Sequence, residues 1–263
     1  MLAAERRREI LRALNLDGAV RVTELAVQLA VSEMTVRRDL DAMDAEELLR
    51  KVHGGAVPRH ARGEEPSASV KATQQRAEKA AIADVAAGTV KDGATIAISA
   101  GTTTTELARR LRHRSSITVV TNSVTVFDVL TSPSSDGADA PQVYLTGGVR
   151  TPSDALVGPI ADAAIASFRV DATYLGVHGF DPEAGLTSPN IAEAQTNRAL
   201  IGIGAHLFVL ADHTKYGEIG TNVFAGLNQV DTLVVDNGLA PADRAILSRL
   251  IGDIMVADVA GQQ

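Results

Sequence analysis

The chain contains no cysteine, which excludes disulfide bonds and thiolate metal sites. It also lacks an amino-terminal apolar segment of the secretory type and any apolar run long enough to span a bilayer, so we expect a cytoplasmic protein with no membrane contact. The histidines do not fall at metal-ligand spacing, apart from a loose pair at His206 and His213 with a strand between them. We therefore predict no structural metal and no cofactor.

The chain also has no excess of basic residues. The chain has 25 Lys and Arg residues against 32 Asp and Glu residues, and its net charge is −7. Residues 1–60 hold ten of each kind, so the remainder carries all of the negative charge. An acidic remainder is an unfavourable surface for nucleic acid, and its expected partner is a small molecule or another copy of the chain. The length of 263 residues allows a small module followed by one domain of ordinary size.

Residues 32–56 are the most informative stretch, because they combine a capped helix with an adjoining Gly-Gly turn. Ser32 is a good helix N-cap, and Val36, Leu40 and Met43 repeat at the spacing of a buried helical stripe. The side chains on the outward side suit contacts to DNA phosphates and guanine edges, and they are Met34, Thr35, Arg37 and Arg38. The alternative is a small helical domain whose arginines only face solvent.

The flanking residues complete a winged helix-turn-helix. Two helices are predicted upstream, over 5–14 and over 24–30 with Thr23 as its cap, and a strand over 48–52 runs into a turn at 53–56. Arg50, Lys51 and His53 lie on this wing, where phosphates are expected. We predict a DNA-binding domain at 1–57, an ordered linker at 58–77 and a second domain at 78–263.

The second domain alternates strands with helices, which predicts an α/β fold with an open, mostly parallel sheet and helices on both faces. The predicted strands are 95–98, 117–121, 143–146, 172–177, 207–211, 232–235 and 254–257. The predicted helices are 78–90, 103–111, 124–130, 159–168, 191–203 and 241–251. Ligands of such sheets bind beyond the carboxyl ends of the strands, so the loops at those ends are the candidate site.

The clearest of these loops is Ser99–Thr105, which leaves a strand and opens a helix. Backbone amides after Gly101, together with the helix dipole, make a competent phosphate site. The alternative is an ordinary capped helix start, and the loop lacks the lysine and spacing of a Walker motif. Other loops predicted at this edge contain Asn122, Gly148, His178, Thr187 and Lys215. Each of them alone is more typical of a turn, but their convergence favours a pocket.

The run VSEMTVRRDL at 31–40, followed by RKVHGGA at 50–56, resembles the signature of the DeoR family of bacterial transcriptional regulators. The segments GTTTT, TNS, GG, GxxGF, GLT and ADHTKYG occur in the order found in that family's sensor domain. The resemblance extends from about Glu5 to Asn237. Two positions depart from the family pattern: Glu47 stands where glycine is usual, and Ser99 stands where many members have aspartate.

The resemblance implies a sensor domain similar in fold to ribose-5-phosphate isomerase and glucosamine-6-phosphate deaminase, which senses phosphorylated sugars. By this resemblance the phosphate is held by Gly101, Thr102, Thr103 and Thr104. Lys215 contacts sugar or phosphate oxygens, and Asn122, His178 and Thr187 read sugar hydroxyls, while Gly148 lies in a neighbouring loop.

We therefore expect a DNA-binding regulator, a repressor of a sugar-catabolism operon that a phosphorylated sugar releases. Its partners are double-stranded operator DNA, the effector and further copies of itself, as a dimer or tetramer. The alternative function is a sugar-phosphate isomerase or deaminase-like enzyme that carries a DNA-binding module. Its candidate acid–base groups are Glu183, Asp212 and Lys215, although Asp212 and Lys215 are better explained as an ion-paired loop.

Overall fold

The computed structural model describes residues 3–17, 20–46, 48–52, 54–58, 68–132 and 140–259. These residues form two compact units. The first contains the elements up to residue 58 together with residues 69–74, and the second contains residues 75–259.

The first unit is a small helical core with a three-stranded sheet. Its elements are α1 (Ala3–Asp17), β1 (Val20–Arg21), α2 (Val22–Gln28), α3 (Glu33–Ala45), β2 (Leu49–Val52), β3 (Gly55–Pro58) and α4 (Ala68–Thr73). The predicted stripe on α3 is confirmed, because Val36, Leu40 and Met43 are fully buried. They pack against Ile10 and Leu14 of α1, and this arrangement is a winged helix-turn-helix.

The start of α2 differs from the prediction. The helix begins at Val22, two residues early, and its N-cap is Arg21, which makes no side-chain cap hydrogen bond. Thr23 therefore lies inside the helix and is not its cap. Val22 is buried in the core, and burial of this apolar side chain explains the earlier start.

The wing depends on a close approach of two backbones. Strands β2 and β3 are antiparallel, with Val52 paired to Gly55, and β1 pairs with the other side of β3. A Cβ atom on Gly55 would lie 2.0 Å from the carbonyl oxygen of Val20, so only glycine fits at this position. Gly54 has a φ of +82°. The Gly-Gly sequence thus supplies the turn and also the space for β1.

The second unit alternates strands and helices as predicted. Its helices are α5 (Arg76–Thr89), α6 (Thr102–Leu111), α7 (Val124–Thr131), α8 (Pro159–Ala166), α9 (Ile191–Ile203) and α10 (Pro241–Leu247). Its strands are β4 (Thr95–Ile98), β5 (Thr118–Thr121), β6 (Gln142–Leu145), β7 (Val149–Arg150), β8 (Leu156–Val157), β9 (Ala172–Gly176), β10 (Gly179–Asp181), β11 (Gly185–Ser188), β12 (Leu207–Leu210), β13 (Asn222–Ala225), β14 (Thr232–Asp236) and β15 (Asp253–Ala257). Short 3-10 turns occupy His213–Lys215 and Leu227–Gln229.

Seven of these strands form one parallel sheet in the order β15-β14-β12-β9-β4-β5-β6. One face is covered by α5, α6 and α7, through side chains such as Ile82, Leu107 and Val126. The other face is covered by α8, α9 and α10, through side chains such as Ile165, Leu200 and Leu247. The predicted open parallel sheet with helices on both faces is confirmed, and its carboxyl edge collects the loops that follow the strands.

Three features were absent from the prediction or wrong in it. The segment 181–188, which lies outside all the predicted strands and helices, is mostly a hairpin of β10 and β11 that pairs with β13 in a second small sheet. Strands β7 and β8 form another short hairpin, and α4 lies inside the predicted linker. Strands β7 and β8 have only two residues each, and β10 and β11 contain glycine and polar residues, so none of these four strands shows the apolar pattern that marks a strand in the sequence.

Candidate functional site

The recognition helix α3 begins as the sequence predicts. The Ser32 hydroxyl accepts a hydrogen bond from the backbone N–H of Thr35 at 3.2 Å, and the two hydroxyl oxygens lie 2.9 Å apart. Met34 and Arg38 are exposed, and Thr35 is half-buried. The outward face of α3 therefore presents side chains of the kind that enter a DNA groove.

The arginines and lysine of this surface differ in their partners. Arg37 donates to the Glu33 carboxylate at 2.9 Å, and Lys51 on β2 forms an ion pair with Asp41 on α3. Within the described ranges, no carboxylate pairs with Arg38. Arg38 can therefore bind a phosphate or a base without first breaking an ion pair. Arg37 and Lys51 must each break an ion pair before they can bind DNA. His53, also predicted for this surface, lies outside the described residues, and so does Glu47.

A structural ion pair inside the recognition motif was not predicted. Arg6 on α1 donates to both carboxylate oxygens of Asp39, at 2.7 Å and 3.2 Å. Asp39 is buried, and the bidentate contact fixes α3 against α1. The acidic residue after the two arginines therefore serves the fold. No spacing in the sequence indicates a contact between residues 33 positions apart.

In the second unit, most of the predicted effector residues lie at one edge of the large sheet. The loops after β12, β9, β4 and β5 contain Lys215, His178, Gly101 and Asn122 respectively, and these strands are consecutive in the sheet. Neighbouring strands lie about 4.8 Å apart, so β12 and β4 are separated by roughly 10 Å. A sugar phosphate together with an extended lysine side chain spans such a distance. The predicted convergence of these loops is confirmed for these four residues.

The amino end of α6 has the properties of an anion site. Gly101 is the N-cap and makes no side-chain cap. Its carbonyl accepts from the Thr105 N–H at 2.9 Å and from the Thr104 and Thr105 hydroxyls at 2.9 and 2.7 Å, which fixes the loop. Within the described part of the chain, the backbone N–H groups of Thr102, Thr103 and Thr104 have no acceptor. Three such donors at a helix amino end favour a bound anion.

Two of the predicted hydroxyl-reading residues have other roles. Asn122 is buried, its amide oxygen accepts from the Ala100 N–H at 3.1 Å, and its amide nitrogen donates to the Leu156 carbonyl at 3.1 Å. Thr187 is fully buried in β11, where its hydroxyl accepts from the Gly220 N–H at 2.9 Å. Both side chains thus hold the surrounding loops in place, and a contact of either one to a sugar stays a prediction.

Ser99, which departs from the family pattern, also ties two loops together. Its hydroxyl is buried and accepts from the backbone N–H of Gly176 at 2.9 Å, joining the end of β4 to the end of β9. A serine at this position thus orients the loop after β4 without adding a charge.

Gly148 and His178 also lie at the carboxyl edge of the large sheet, after β6 and β9 respectively. Gly148 has a φ of +116°, and a Cβ atom there would lie 2.6 Å from the Val157 carbonyl oxygen, so glycine is needed for the β7–β8 hairpin. His178 is half-buried directly after β9. The sequence did not indicate Glu193 on α9, whose carboxylate accepts from the Thr151 hydroxyl at 2.5 Å and also from the Ser153 hydroxyl.

Lys215 is half-buried on the 3-10 turn after β12, and its neighbour Asp212 is buried. Burial by itself raises the pKa of Asp212, but the charges of Lys215 and Lys79 and a hydrogen bond from Thr214 outweigh it and hold that pKa below its ordinary value. Asp212 also caps the turn by accepting from the Thr214 N–H at 3.1 Å. It is therefore an ionised capping group with little tendency to take up a proton.

A cavity of about 630 Å³ opens at the opposite, amino edge of the sheet. It is lined by residues such as Ile96, Asp171, Tyr174, His206 and Phe208, and it contains none of the predicted effector residues. The described residues contain no group of three or more His, Cys, Asp or Glu side chains placed to hold a metal ion. None of the described helices is both long enough and apolar enough to cross a membrane.

Comparison with known families accounts for both units. The DeoR-like helix-turn-helix domain matches residues 6–61, and the DeoR C terminal sensor domain matches residues 74–237. The chain belongs to the DeoR family. It is a DNA-binding transcriptional regulator with an amino-terminal winged helix and a carboxyl-terminal sensor domain, as the resemblance implied.

Relatives in the family align over nearly the whole chain. The HTH-type transcriptional regulator GlpR of Haloferax volcanii is 35% identical over 91% of this chain and 92% of its own length. The transcriptional repressor AccR of Agrobacterium fabrum is 31% identical over 97% of both chains. The lactose phosphotransferase system repressor of Staphylococcus aureus is 34% identical over 88% of this chain and 91% of its own length.

Similarity to solved structures is distant. Ribose 5-phosphate isomerase A of Methanocaldococcus jannaschii aligns with a TM-score of 0.38 and 16% identity over 53% of this chain and 54% of that one. The delta subunit of eIF2B from Chaetomium thermophilum aligns with a TM-score of 0.39 and 16% identity over 58% and 55%. At TM-scores this low, the similarities do not bear on ligand or function.

Proposed function

We propose that this DeoR-family regulator is a repressor of a sugar-catabolism operon, acting in the cytoplasm, and that a phosphorylated sugar releases it from its operator. The phosphate is bound by the N–H groups of Thr102, Thr103 and Thr104, and Lys215 supplies a cation from the neighbouring turn. His178 and the Gly148 hairpin border the sugar. The observation that carries the proposal is the set of three N–H donors at the amino end of α6, together with a lysine on the same edge of the sheet.

The DNA-binding surface consists of α3 and the wing. Arg38 and Met34 are the exposed centre of α3, and Ser32, Thr35, Arg37, Arg50 and Lys51 surround them, with His53 as a further member. One short helix provides too little contact for specific operator affinity, so we propose a homo-oligomer, a dimer or tetramer, that presents two or more recognition helices. We keep the domain boundaries at 1–57, 58–77 and 78–263 within this proposal.

Release requires a large difference in affinity between two states of the regulator. Moving operator occupancy from about 99% to about 1% requires the effector to prefer one state by about 5.5 kcal/mol. Charge-assisted hydrogen bonds to a phosphate contribute about 1.5–3 kcal/mol each. Three amides and one lysine can therefore supply the preference, provided that they are arranged for binding in only one of the two states.

Catalysis is the alternative function, and the site geometry disfavours it. An isomerase needs a base whose pKa suits proton abstraction, whereas the pKa of Asp212 is lowered and its carboxylate caps a turn. Glu183 is exposed in the turn between β10 and β11. We propose that the sensor domain binds its sugar phosphate without converting it.

The test is a panel of sugar phosphates and their unphosphorylated parents, measured by thermal stability of the full chain. A ligand at about 100 times its Kd stabilises the folded state by about 2.7 kcal/mol. We expect stabilisation by a phosphorylated sugar, none by its parent, and return of that sugar phosphate unchanged after incubation. Absence of stabilisation across the panel contradicts the effector proposal, and sustained turnover by repurified protein contradicts the proposed absence of catalysis.

A further inference from the structure

A network of buried charged side chains lies next to Lys215. Asp212 and Asp236 at the ends of β12 and β14, and Glu78 and Lys79 at the start of α5, are each at most 4% exposed. His213 is 17% exposed by its side chain and lies between them. Neither the fold nor binding by the α6 amides explains why so many charges are buried at one place, since burying charge is unfavourable unless each group is compensated.

The closest contact in the network joins His213 to Asp236. One carboxylate oxygen of Asp236 accepts from the backbone N–H of His213 at 2.7 Å, and the other lies 2.7 Å from His213 Nδ1. The second oxygen also accepts from the Gly238 N–H at 2.9 Å. A Cβ atom on Gly238 would lie 2.5 Å from His213 Nδ1, so the backbone at Gly238 is fitted to this pair.

This contact fixes the turn that carries Lys215. The 3-10 turn spans His213–Lys215, and Asp236 on the adjacent strand holds its first residue by both backbone and ring. Asp212 holds the second residue through the Thr214 N–H. The position of Lys215 is thus set by two carboxylates, neither of which forms an ion pair with it at contact distance.

The formal charges of the network predict how the protonation of His213 responds to a bound phosphate. Three carboxylates (Glu78, Asp212 and Asp236) face two ammonium groups (Lys79 and Lys215), which leaves one negative charge when His213 is neutral. A proton on His213 cancels that charge. A dianionic phosphate bound beside Lys215 therefore favours protonated His213, and protonated His213 favours the phosphate in return.

We propose that Asp236 and His213 are positioning residues for Lys215, and that His213 couples the binding of a phosphate group to the uptake of a proton. This inference rests on the proposed effector site. Burial by itself lowers the pKa of His213, but the hydrogen bond to Asp236 and the charges of Asp236, Asp212 and Glu78 outweigh it and raise that pKa above its ordinary value. Because the pKa is raised further by the bound anion, affinity increases as the pH falls through the titration of His213.

Sulfate is the probe, because it resembles phosphate but keeps a constant charge over the range tested. We expect the sulfate affinity of the full chain to increase several-fold, and at most about tenfold per unit of pKa change, from about pH 8.5 to about pH 6.5. His213→Asn keeps a donor toward Asp236 but takes up no proton, so its affinity is expected to be independent of pH and weaker than wild type in acid. Asp236→Asn is expected to weaken sulfate binding across the range.

The matched control is His206→Asn. His206 lies at the amino edge of the sheet, bonded to Thr232 at 2.9 Å, and its substitution should leave the pH dependence intact. The imidazole signal of His213 in the wild-type chain gives a measurement that no folding defect affects: its pKa must rise when sulfate binds.

Four results overturn the inference. A His213→Asn variant that keeps the wild-type pH dependence, or a His213 pKa that sulfate does not change, shows that the proton is taken up elsewhere. Asp236→Asn with wild-type sulfate affinity shows that Asp236 does not position Lys215. Sulfate binding that is independent of pH in the wild type contradicts this inference alone, whereas no binding of sulfate or of any sugar phosphate contradicts the proposed function itself.

Discussion

The side-chain amide oxygen of Asn122 accepts a hydrogen bond from the backbone N–H of Ala100 at 3.1 Å, which ties the loop after β5 to the phosphate loop after β4. The amide nitrogen of the same residue holds the Leu156 carbonyl. Asn122 therefore links three segments at the carboxyl edge of the sheet. A polar residue that follows a strand can thus fix the loops at the carboxyl edge of the sheet.

Arg38→Ala is expected to weaken operator binding by about 1–3 kcal/mol, the range for one arginine at a base or phosphate. The reason is that Arg38 is exposed on α3 and, among the described residues, has no carboxylate partner to give up. Operator affinity measured at two salt concentrations checks this. Arg109→Ala, which removes an exposed arginine paired with Glu106 in the sensor domain, is the control. Unchanged operator affinity in Arg38→Ala means that the recognition surface is assigned wrongly.

Gly55→Ala is expected to disrupt the wing. The added Cβ atom would overlap the Val20 carbonyl oxygen at 2.0 Å, so β1 and β3 must separate. Operator binding should fall, and the amino-terminal unit should unfold at a lower temperature. Gly88→Ala is the matched control, because a Cβ atom there meets nothing within 4 Å and the residue lies in α5. Alanine in a helix is about 0.5–1 kcal/mol more favourable than glycine, so this variant should keep or gain stability. Equal stability of the two variants would contradict the geometry of the wing.

Lys215→Ala is expected to leave operator binding intact and to abolish release by the sugar phosphate, because the variant lacks the cation beside the α6 amides. Titration of the effector into the regulator–operator complex measures both properties. Lys91→Ala, at an exposed position beside the amino edge of the sheet, serves as the control. If Lys215→Ala leaves the operator at the effector concentration that releases the wild type, Lys215 does not belong to the effector site.

Asp212 is expected to stabilise the sensor unit at neutral pH and to lose that effect in acid. Its folded pKa is lowered, so the stabilisation is fully present above the unfolded value of about 3.9 and is lost as the pH falls through the lower folded value. The difference in free energy of unfolding between wild type and Asp212→Asn, from urea titrations at several pH values, should therefore shrink toward low pH. A difference that grows in acid would mean that folding raises the pKa of Asp212, which contradicts the prediction.

The sequence predicts the repeating elements well because their patterns are long. The α3 stripe at Val36, Leu40 and Met43 and the apolar runs of the seven parallel strands each combine several residues at one period. The β10–β11 hairpin was missed because its strands are short and mostly buried, and they carry the glycine and polar residues that are typical of turns. The start of α2 at Val22 was missed because core burial outweighed the preference of Thr23 for a cap.

The candidate site is predictable to the level of loops and not of side chains. Order along the chain places Gly101, His178 and Lys215 at one edge of a parallel sheet. It does not show that Asn122 and Thr187 are already bonded within the protein, since these bonds join residues 22 to 34 positions apart. Lys79 was missed for a related reason: it lies in an Ala-rich helix, and only the fold brings it to Asp212.

The phosphate loop itself is tested most directly by comparing Thr102→Pro with Thr102→Ala. Thr102 is the first residue of α6, a position where proline is well tolerated. Proline removes the N–H that we assign to the phosphate, whereas alanine keeps it. In effector titrations of the operator complex, the account predicts release of Thr102→Ala near the wild-type concentration and a requirement for at least about tenfold more effector for Thr102→Pro, as expected for loss of one charge-assisted hydrogen bond. Equal release of both variants would contradict the claim that the α6 amides bind the effector.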